Sequence, residues 1–262
     1  MNYIGSPDDW ASIPDLFRQS DRALPQPWQD LFGPLRRGQS DDLVVVGQLG
    51  QSIDGRIATA SGHSKYINGP AGLDHLHRLR ALVDGVLVGV GTAVADDPLL
   101  TVRRVAGPNP ARIVVDPRGR LPSSARLLAD DGVRRIVVVG DGVQTNLPRE
   151  ADIMRVPLRD GHAAPATILA GLAERGLHRI LIEGGARTVS AFLTAGCLDR
   201  LHIVVAPAIL GAGQAGLALP AVECADAALR PPVRTYMLAD EVLFDVNLST
   251  QRVAIGRAKM SV

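Results

Sequence analysis

Along the chain, short unbroken apolar runs alternate with segments whose apolar residues recur every three to four positions. The runs at 43–46, 85–90, 111–115, 134–139, 179–182 and 201–205 read as strands buried on both faces. Helices are predicted after Pro70, over 165–175 and over 185–195. Pro70 and Pro165 suit a first helical turn, and Gly176 and Gly196 close the latter two helices. The last 30 residues or so read as two strands, 233–238 and 241–248, joined at Ala239-Asp240. Strands alternating with helices predict an α/β fold: a mostly parallel sheet with antiparallel edge strands and helices on both faces.

Residues 1–40 break this rhythm. They hold Tyr3, Trp10, Phe17, Trp28 and Phe32, several prolines and no sustained period. They are expected to form an N-terminal extension that packs through its aromatics on a domain spanning 41–262.

Composition narrows the function classes. The 262 residues are 46% hydrophobic and 21% charged, enough for a sizeable core. A formal net charge of +1 gives no reason to expect a nucleic-acid partner, and any cations that serve an anionic ligand must be local. Cys197 and Cys224 form no CxxC pair, so no disulfide framework or cysteine metal site is expected, and a reducing cytoplasm fits. No leader pattern and no apolar run of membrane length is visible, so no membrane association is expected.

Four segments carry chemistry. In 48–58 a strand runs into an Asp54-Gly55 turn, where Gly50 would let a ligand approach the backbone. Read alone, this segment is also a plain hairpin turn. In the helix after Pro70, Leu73, Leu76, Leu79, Leu82 and Val83 form one apolar side. Arg80 lies one turn after Leu76 on that side and must be satisfied by an anion or by solvent. His75 and His77 fall on different faces, so no shared metal is expected. In 88–103 a buried strand ends in Gly89-Val90-Gly91-Thr92 and leads into a polar loop holding Asp96, Asp97 and Arg103. Ligands of open α/β sheets bind beyond such strand ends. In 179–188 a strand ends at Glu183 and passes through Gly184-Gly185 into a helix. The exposed amides there suit a phosphate, and Arg187 and Thr188 can add donors.

In order along 42–248, these segments resemble the reductase domain of the bifunctional deaminase/reductase of riboflavin biosynthesis. The likeness is carried by Ser52-Ile53-Asp54-Gly55, Gly62-His63-Ser64-Lys65-Tyr66-Ile67, Leu79-Arg80, the block from Gly89 to Arg103, Glu183-Gly184-Gly185 and Pro207-Ala208-Ile209-Leu210-Gly211. The resemblance implies a dihydrofolate-reductase-like fold, NADPH as cofactor, a homodimer and a small phosphorylated substrate. The implied reaction reduces 5-amino-6-(5-phosphoribosylamino)uracil, or its 2,5-diamino equivalent, to the ribityl form. It also implies substrate contacts from Ser64, Arg80, Leu100, Arg103 and Glu183, and cofactor contacts from Gly50, Tyr66, Thr92, Asp96, Gly185, Ala186, Arg187 and Thr188. Glu183 and Asp96 are the candidates for a general acid.

The sequence departs from the family pattern at three points. Gln48 stands where the family has Lys, and Tyr66 stands where it has Trp. The His-x-Glu and Pro-Cys-x-x-Cys signatures of the deaminase are absent, so a stand-alone reductase is expected. Gln48 opens a second reading, a pteridine substrate on the same fold and cofactor. A third is a non-catalytic nucleotide-binding relative, which the retained block from Asp96 to Arg103 and Glu183 argue against.

Overall fold

The structure is a computed structural model and describes residues 2–3, 10–19, 21–64 and 67–255. Tyr66, expected at the cofactor, lies outside the described residues. In chain order the first elements are β1 (Asn2–Tyr3), α1 (Ile13–Arg18), α2 (Trp28–Phe32), β2 (Val44–Ser52) and β3 (Arg56–Thr59). There follow α3 (Pro70–Leu82), β4 (Gly85–Gly89), α4 (Val90–Asp96), β5 (Ala111–Val115), β6 (Arg135–Gly140) and β7 (Asp152–Val156). Next come β8 (Leu158–Arg159), β9 (His162–Ala163), α5 (Pro165–Ala173), β10 (Arg179–Glu183) and α6 (Ala186–Thr194). The chain finishes with β11 (Arg200–Ala206), β12 (Gly213–Ala215), β13 (Val233–Leu238) and β14 (Glu241–Asn247).

Ten strands form one sheet in the order β1-β13-β14-β11-β2-β10-β4-β5-β6-β7. From β11 to β7 every neighbour is parallel, whereas β14 runs antiparallel to β11 and β13 antiparallel to β14. This is the mostly parallel sheet with antiparallel edge strands that the apolar runs imply. Alternation along β2 shows why the runs are continuous. Val44 and Val46 pack with Leu79 and Leu82 of α3, while Val45 and Leu49 pack with Leu172 of α5 and Val189 of α6. Each such side chain, fully buried, contributes about 1.5–3 kcal/mol.

The aromatics of the N-terminal segment join the core on the α3 side. Trp10 and Trp28 meet edge-on at 5.3 Å, Trp28 stacks on Phe32, and Phe32 stacks on His75 of α3. The Trp10 indole donates to the Ala106 carbonyl at 2.7 Å. Buried Arg78 lies 4.9 Å over the Trp28 ring, a cation–π contact that makes its burial tolerable.

α3 starts at Pro70 with Gly69 as its N-cap. Neither residue offers a capping side chain, and the cap comes from β14, distant in sequence. Buried Glu241 of β14 accepts the Gly69 and Gly72 amides at 3.0 and 2.7 Å.

One expected loop is a helix. Residues 90–96, read as part of a polar loop, form α4, with Val90 and Ala93 buried one turn apart. Gly91, Thr92 and Val94 have low helix propensity and hide the period in so short an element. Asp97 ends it in the left-handed region at φ 38°.

Candidate active site

β10 and β4 are adjacent and parallel, with Ile182 opposite Leu87, so the two strand-to-helix junctions that follow lie side by side. At the first, β10 ends on Glu183, Gly184 turns at φ 96° and Gly185 is the N-cap of α6. A left-handed turn at that point calls for glycine. At the second, Gly89 is the N-cap of α4. The junctions brace each other. The Gly185 amide donates to Thr92 Oγ1 of α4 at 3.0 Å. In return, Thr188 Oγ1 lies only 2.5 Å from where a side chain on Gly89 would begin, so only glycine fits there. Thr188 N–H is taken by the Gly185 carbonyl, which leaves the amides of Ala186 and Arg187 without a backbone partner among the described residues.

These junctions open into a cleft of about 1070 Å³ beyond the carboxyl ends of β2, β10, β4 and β5. Its wall includes Gly50, Ser64, Arg80, Thr92, Asp96, Leu100, Glu183, Gly185, Ala186, Arg187 and Thr188. The structure therefore gathers into one cavity every expected site residue that it describes, with the exception of Arg103.

Arg80 and Glu183 dominate the floor. Arg80 Nε donates to one carboxylate oxygen and Nη2 to the other, both at 2.7 Å, and Nη1 donates to the Thr101 carbonyl at 3.0 Å. Arg80 is 6% exposed and Glu183 5%, so this is a desolvated two-point ion pair of the geometry that makes buried charges tolerable. The anion expected beside Arg80 is thus supplied by the chain itself. Both Glu183 oxygens accept from the one guanidinium, so neither is free of a partner in this arrangement. Asp96, exposed at the end of α4, is the acid left facing the cleft.

Arg103 is exposed at the rim and is not part of the wall. Its backbone amide donates to His77 Nδ1 at 3.0 Å, which fastens the 101–103 segment to α3. Partial burial, together with Arg80, Arg104 and Arg126, lowers its guanidinium pKa, a sign of a cationic neighbourhood. Leu100, buried on the wall, holds φ 54°; so bulky a residue in that region marks a backbone held in place by its surroundings.

At Gly50, which lines the cleft, the structure adds a second reason for glycine. A Cβ there would fall 1.7 Å from Asn68 Oδ1. It is Asn68, held by Glu241 at 2.7 Å and donating to the Val204 carbonyl at 3.2 Å, that approaches this backbone. Gln48 also lines the cleft, mostly buried, and is in register with Glu183 on one side and His202 on the other.

The Asp54 turn proves to be a clasp. Asp54 accepts from Ser52 Oγ at 2.6 Å and from the Leu210 and Gly211 amides at 3.0 and 2.7 Å. These bonds hold its pKa down at about 2, with the Ser52 bond contributing most. The Pro207–Gly211 stretch is thereby tied to the end of β2. Beside it, β3 and β12 form a two-stranded ribbon, from which Ala58 and Gln214 face the cleft.

Sequence reasoning missed Arg118, Arg120 and Arg159, which line the end of the cleft beyond β5. A signal for the first two was present: Arg118-Gly119-Arg120 follows two residues after the carboxyl end of a buried strand.

Comparison with known proteins agrees with this geometry. The fold and cleft define an α/β protein with a ligand site across parallel strand ends, and residues 44–229 match the family described as the RibD C-terminal domain. The chain belongs to that family. It is 33% identical over 217 residues to the 2,5-diamino-6-ribosylamino-4(3H)-pyrimidinone 5′-phosphate reductase of Methanothermobacter thermautotrophicus, a match covering 77% of this chain and 96% of that one. It is 35% identical over 165 residues to the riboflavin biosynthesis protein RibD of Aquifex aeolicus, across 62% of this chain and 46% of that one. Among solved structures, the deaminase/reductase of Thermotoga maritima superposes with a TM-score of 0.67 at 25% identity, over 84% of this chain and 59% of that one. The chain thus spans about half the length of the Aquifex and Thermotoga relatives and nearly all of the Methanothermobacter reductase.

Proposed function

We propose that this chain is an NADPH-dependent pyrimidine reductase. It would convert 5-amino-6-(5-phosphoribosylamino)uracil, or the 2,5-diamino equivalent, to the ribityl form in riboflavin biosynthesis, in the cytoplasm. The observation that carries this reading is the shared cavity: the Gly184-Gly185 junction, with two open amides, stands one residue from the Arg80–Glu183 pair. The near full-length similarity to an archaeal reductase acting on the 2,5-diamino compound supports it.

The residues present fit a nicotinamide dinucleotide. The volume suffices, Ala186 and Arg187, whose amides have no backbone partner among the described residues, line the cleft at a helix N-terminus, and Gly91 leaves open space where a side chain would stand. When bound, the cofactor would supply a hydride to the sugar C1′ in its ring-opened imine form, the C=N π bond giving way as the nitrogen takes up a proton. The chain's share is orientation and electrostatics. Arg80 and Glu183, a neutral pair, fix the floor on which the pyrimidine and sugar rest, and Arg103 supplies the positive charge for the phosphate. Asp96 or water returns the proton that the substrate nitrogen requires.

A second reading, a pteridine substrate, is favoured by one observation: Gln48, on the cleft wall, presents a neutral amide where the family has a cation. A single experiment separates the two. Purified protein with NADPH should oxidise the cofactor in the presence of the phosphoribosylamino-pyrimidine and leave dihydropteridines untouched. The opposite pattern would move the assignment to pteridines, and oxidation with neither would remove it.

The homodimer reading is supported by an incompletely covered sheet face. Ile203, Phe244 and Thr235 lie in one cross-strand row on β11, β14 and β13, with Leu201, Val246 and Val233 in another on the same side. Phe244 and Val233 are exposed there. Light scattering would report a dimer, dispersed to monomer by Phe244→Glu. No helix among the described residues is long and apolar enough to cross a membrane.

A further inference from the structure

A second cavity, of about 400 Å³, lies between the N-terminal segment and strands β11, β14 and β13. It shares no lining residue with the cleft, whose strands are β2, β10, β4 and β5. Two cross-strand rows build its floor. Register places Arg234, Asp245 and His202 in one row across β13, β14 and β11, and Asn247 opposite Arg200 in the next. These side chains point to the face that α3 covers, since His202 Nδ1 meets His75 Nε2 of α3 at 3.0 Å and alternate residues of a strand share a face. Pro34 and Gln39 line the cavity from the N-terminal segment.

The acceptors of this floor are used up, and its donors are not. Arg200 reaches diagonally to Asp245: Nε donates to Oδ1 at 2.7 Å and Nη2 to Oδ2 at 2.5 Å. His202 Nε2 stands 3.2 Å from Oδ1 as well. Asp245, with no exposed surface, thus has both oxygens occupied. Arg200 is 7% exposed, and its Nη1 has no hydrogen-bond partner among the described residues. Asn247 gives its oxygen to the Ser249 amide and hydroxyl at 3.1 and 2.7 Å, which leaves its NH₂ to donate. Arg234, exposed on the wall, makes no ion pair among the described residues. Asp245 cancels Arg200, so the charge of Arg234 is uncompensated.

A solvated surface arginine is common, but here it stands beside a buried guanidinium that Asp245 holds in one orientation. A floor whose one carboxylate is saturated and whose open groups all donate recognises an anion. Two guanidinium forks suit an oxyanion that offers several oxygens at once. The volume is at the low end of small-molecule sites, about 300–1,000 Å³, and Pro34 and Pro232 add apolar surface to the wall. The occupant is therefore larger than a bare ion and smaller than a dinucleotide. We infer that this cavity is a second ligand site, which takes a compact organic oxyanion. Its carboxylate or phosphate head would lie on Arg200 and Arg234, and its apolar body against Pro34 and Pro232. This site is separate from the cleft and does not depend on what the cleft reduces.

Calorimetric titration with phenyl phosphate, benzoate and neutral benzyl alcohol tests the site in the full chain, in Arg234→Gln and in Arg103→Ala, the last as a control at the cleft. The full chain should bind at least one of the two anions with a saturable heat and should not bind the alcohol. Loss of a charge-assisted bond changes affinity by about 10- to 100-fold. Arg234→Gln should weaken the anion by that factor, and Arg103→Ala should leave it bound as before. Arg234 is exposed, so the unfolding midpoint of its variant should not move. Tighter binding of phenyl phosphate would identify the head group as phosphate, and tighter binding of benzoate as carboxylate; either order supports the site. No saturation by either anion at millimolar concentration overturns the inference, as does an alcohol bound as tightly as the anions. Anion binding lost in Arg103→Ala and kept in Arg234→Gln would assign it to the cleft and overturn the inference as well.

Discussion

Arg80 of α3 and Glu183 of β10 close a two-point ion pair at the cleft floor, 2.7 Å at each contact, with almost no water access. A buried pair gains little over an apolar one, but stripping one partner leaves a bare charge in a desolvated site. Arg80→Leu should therefore cost about 3–5 kcal/mol of stability in urea denaturation. The double variant Arg80→Leu/Glu183→Leu should recover most of that loss and remain inactive. Recovery of activity along with stability would show the pair to be scaffolding and nothing more.

His75 and His77 govern the acid side of the stability curve. His75 is fully buried; burial, then His202 and Arg78, push its pKa well below the ordinary value. His77 is pushed to about 3 by burial, then by Arg80, Arg103 and Arg104. Both folded values lie under the unfolded value of about 6.5. Between them the unfolded chain binds more protons, so stability is present in full above about pH 6.5 and falls as the pH drops below it. The loss approaches about 1.4 kcal/mol per pH unit for each histidine. In urea titrations from pH 7 to 5, His77→Asn should flatten the slope by one proton's share. An unchanged slope would contradict the burial of a neutral ring.

Asp54 should matter for geometry and little for stability. Its clasp on Leu210 and Gly211 sets the loop beside the β3–β12 ribbon, and its pKa of about 2 keeps it ionised at all working pH values. Asp54→Ala should lower kcat/KM roughly tenfold or more through misplacement of the cleft edge, with the melting midpoint nearly unmoved. A large fall in the midpoint with kcat/KM intact would reverse that division.

Arg103 offers a way to separate substrate from cofactor. It is exposed beside the segment that Arg80 contacts, whereas the amides proposed for the cofactor lie at the start of α6. Arg103→Ala should raise the KM for the phosphorylated pyrimidine by about 10- to 100-fold, the worth of a lost charge-assisted bond, and change the KM for NADPH far less. Equal rises would place Arg103 outside the substrate site.

The central sheet was legible because valine and isoleucine runs buried on both faces need no knowledge of their partners. The glycine junction after Glu183 was legible for the same reason: its chemistry is local. What escaped depends on contacts distant in sequence. The partner of Arg80 lies 103 residues away. The carboxylate that caps α3 comes from Glu241, and the glycine at position 50 answers to Asn68. The edge strand β7 escaped because its run Asp152-Ile153-Met154-Arg155-Val156 mixes charges into an apolar pattern. Arg159 gave no signal, since only the folded hairpin carries it to the cleft.

The most direct measurement is a crystal structure of the chain soaked with NADP and ribose 5-phosphate. The pyrophosphate should lie on the amides of Ala186 and Arg187, with the sugar phosphate across Glu183 on the side of Arg80 and Arg103. A dinucleotide seated elsewhere, or a sugar phosphate bound away from that pair, would contradict the account.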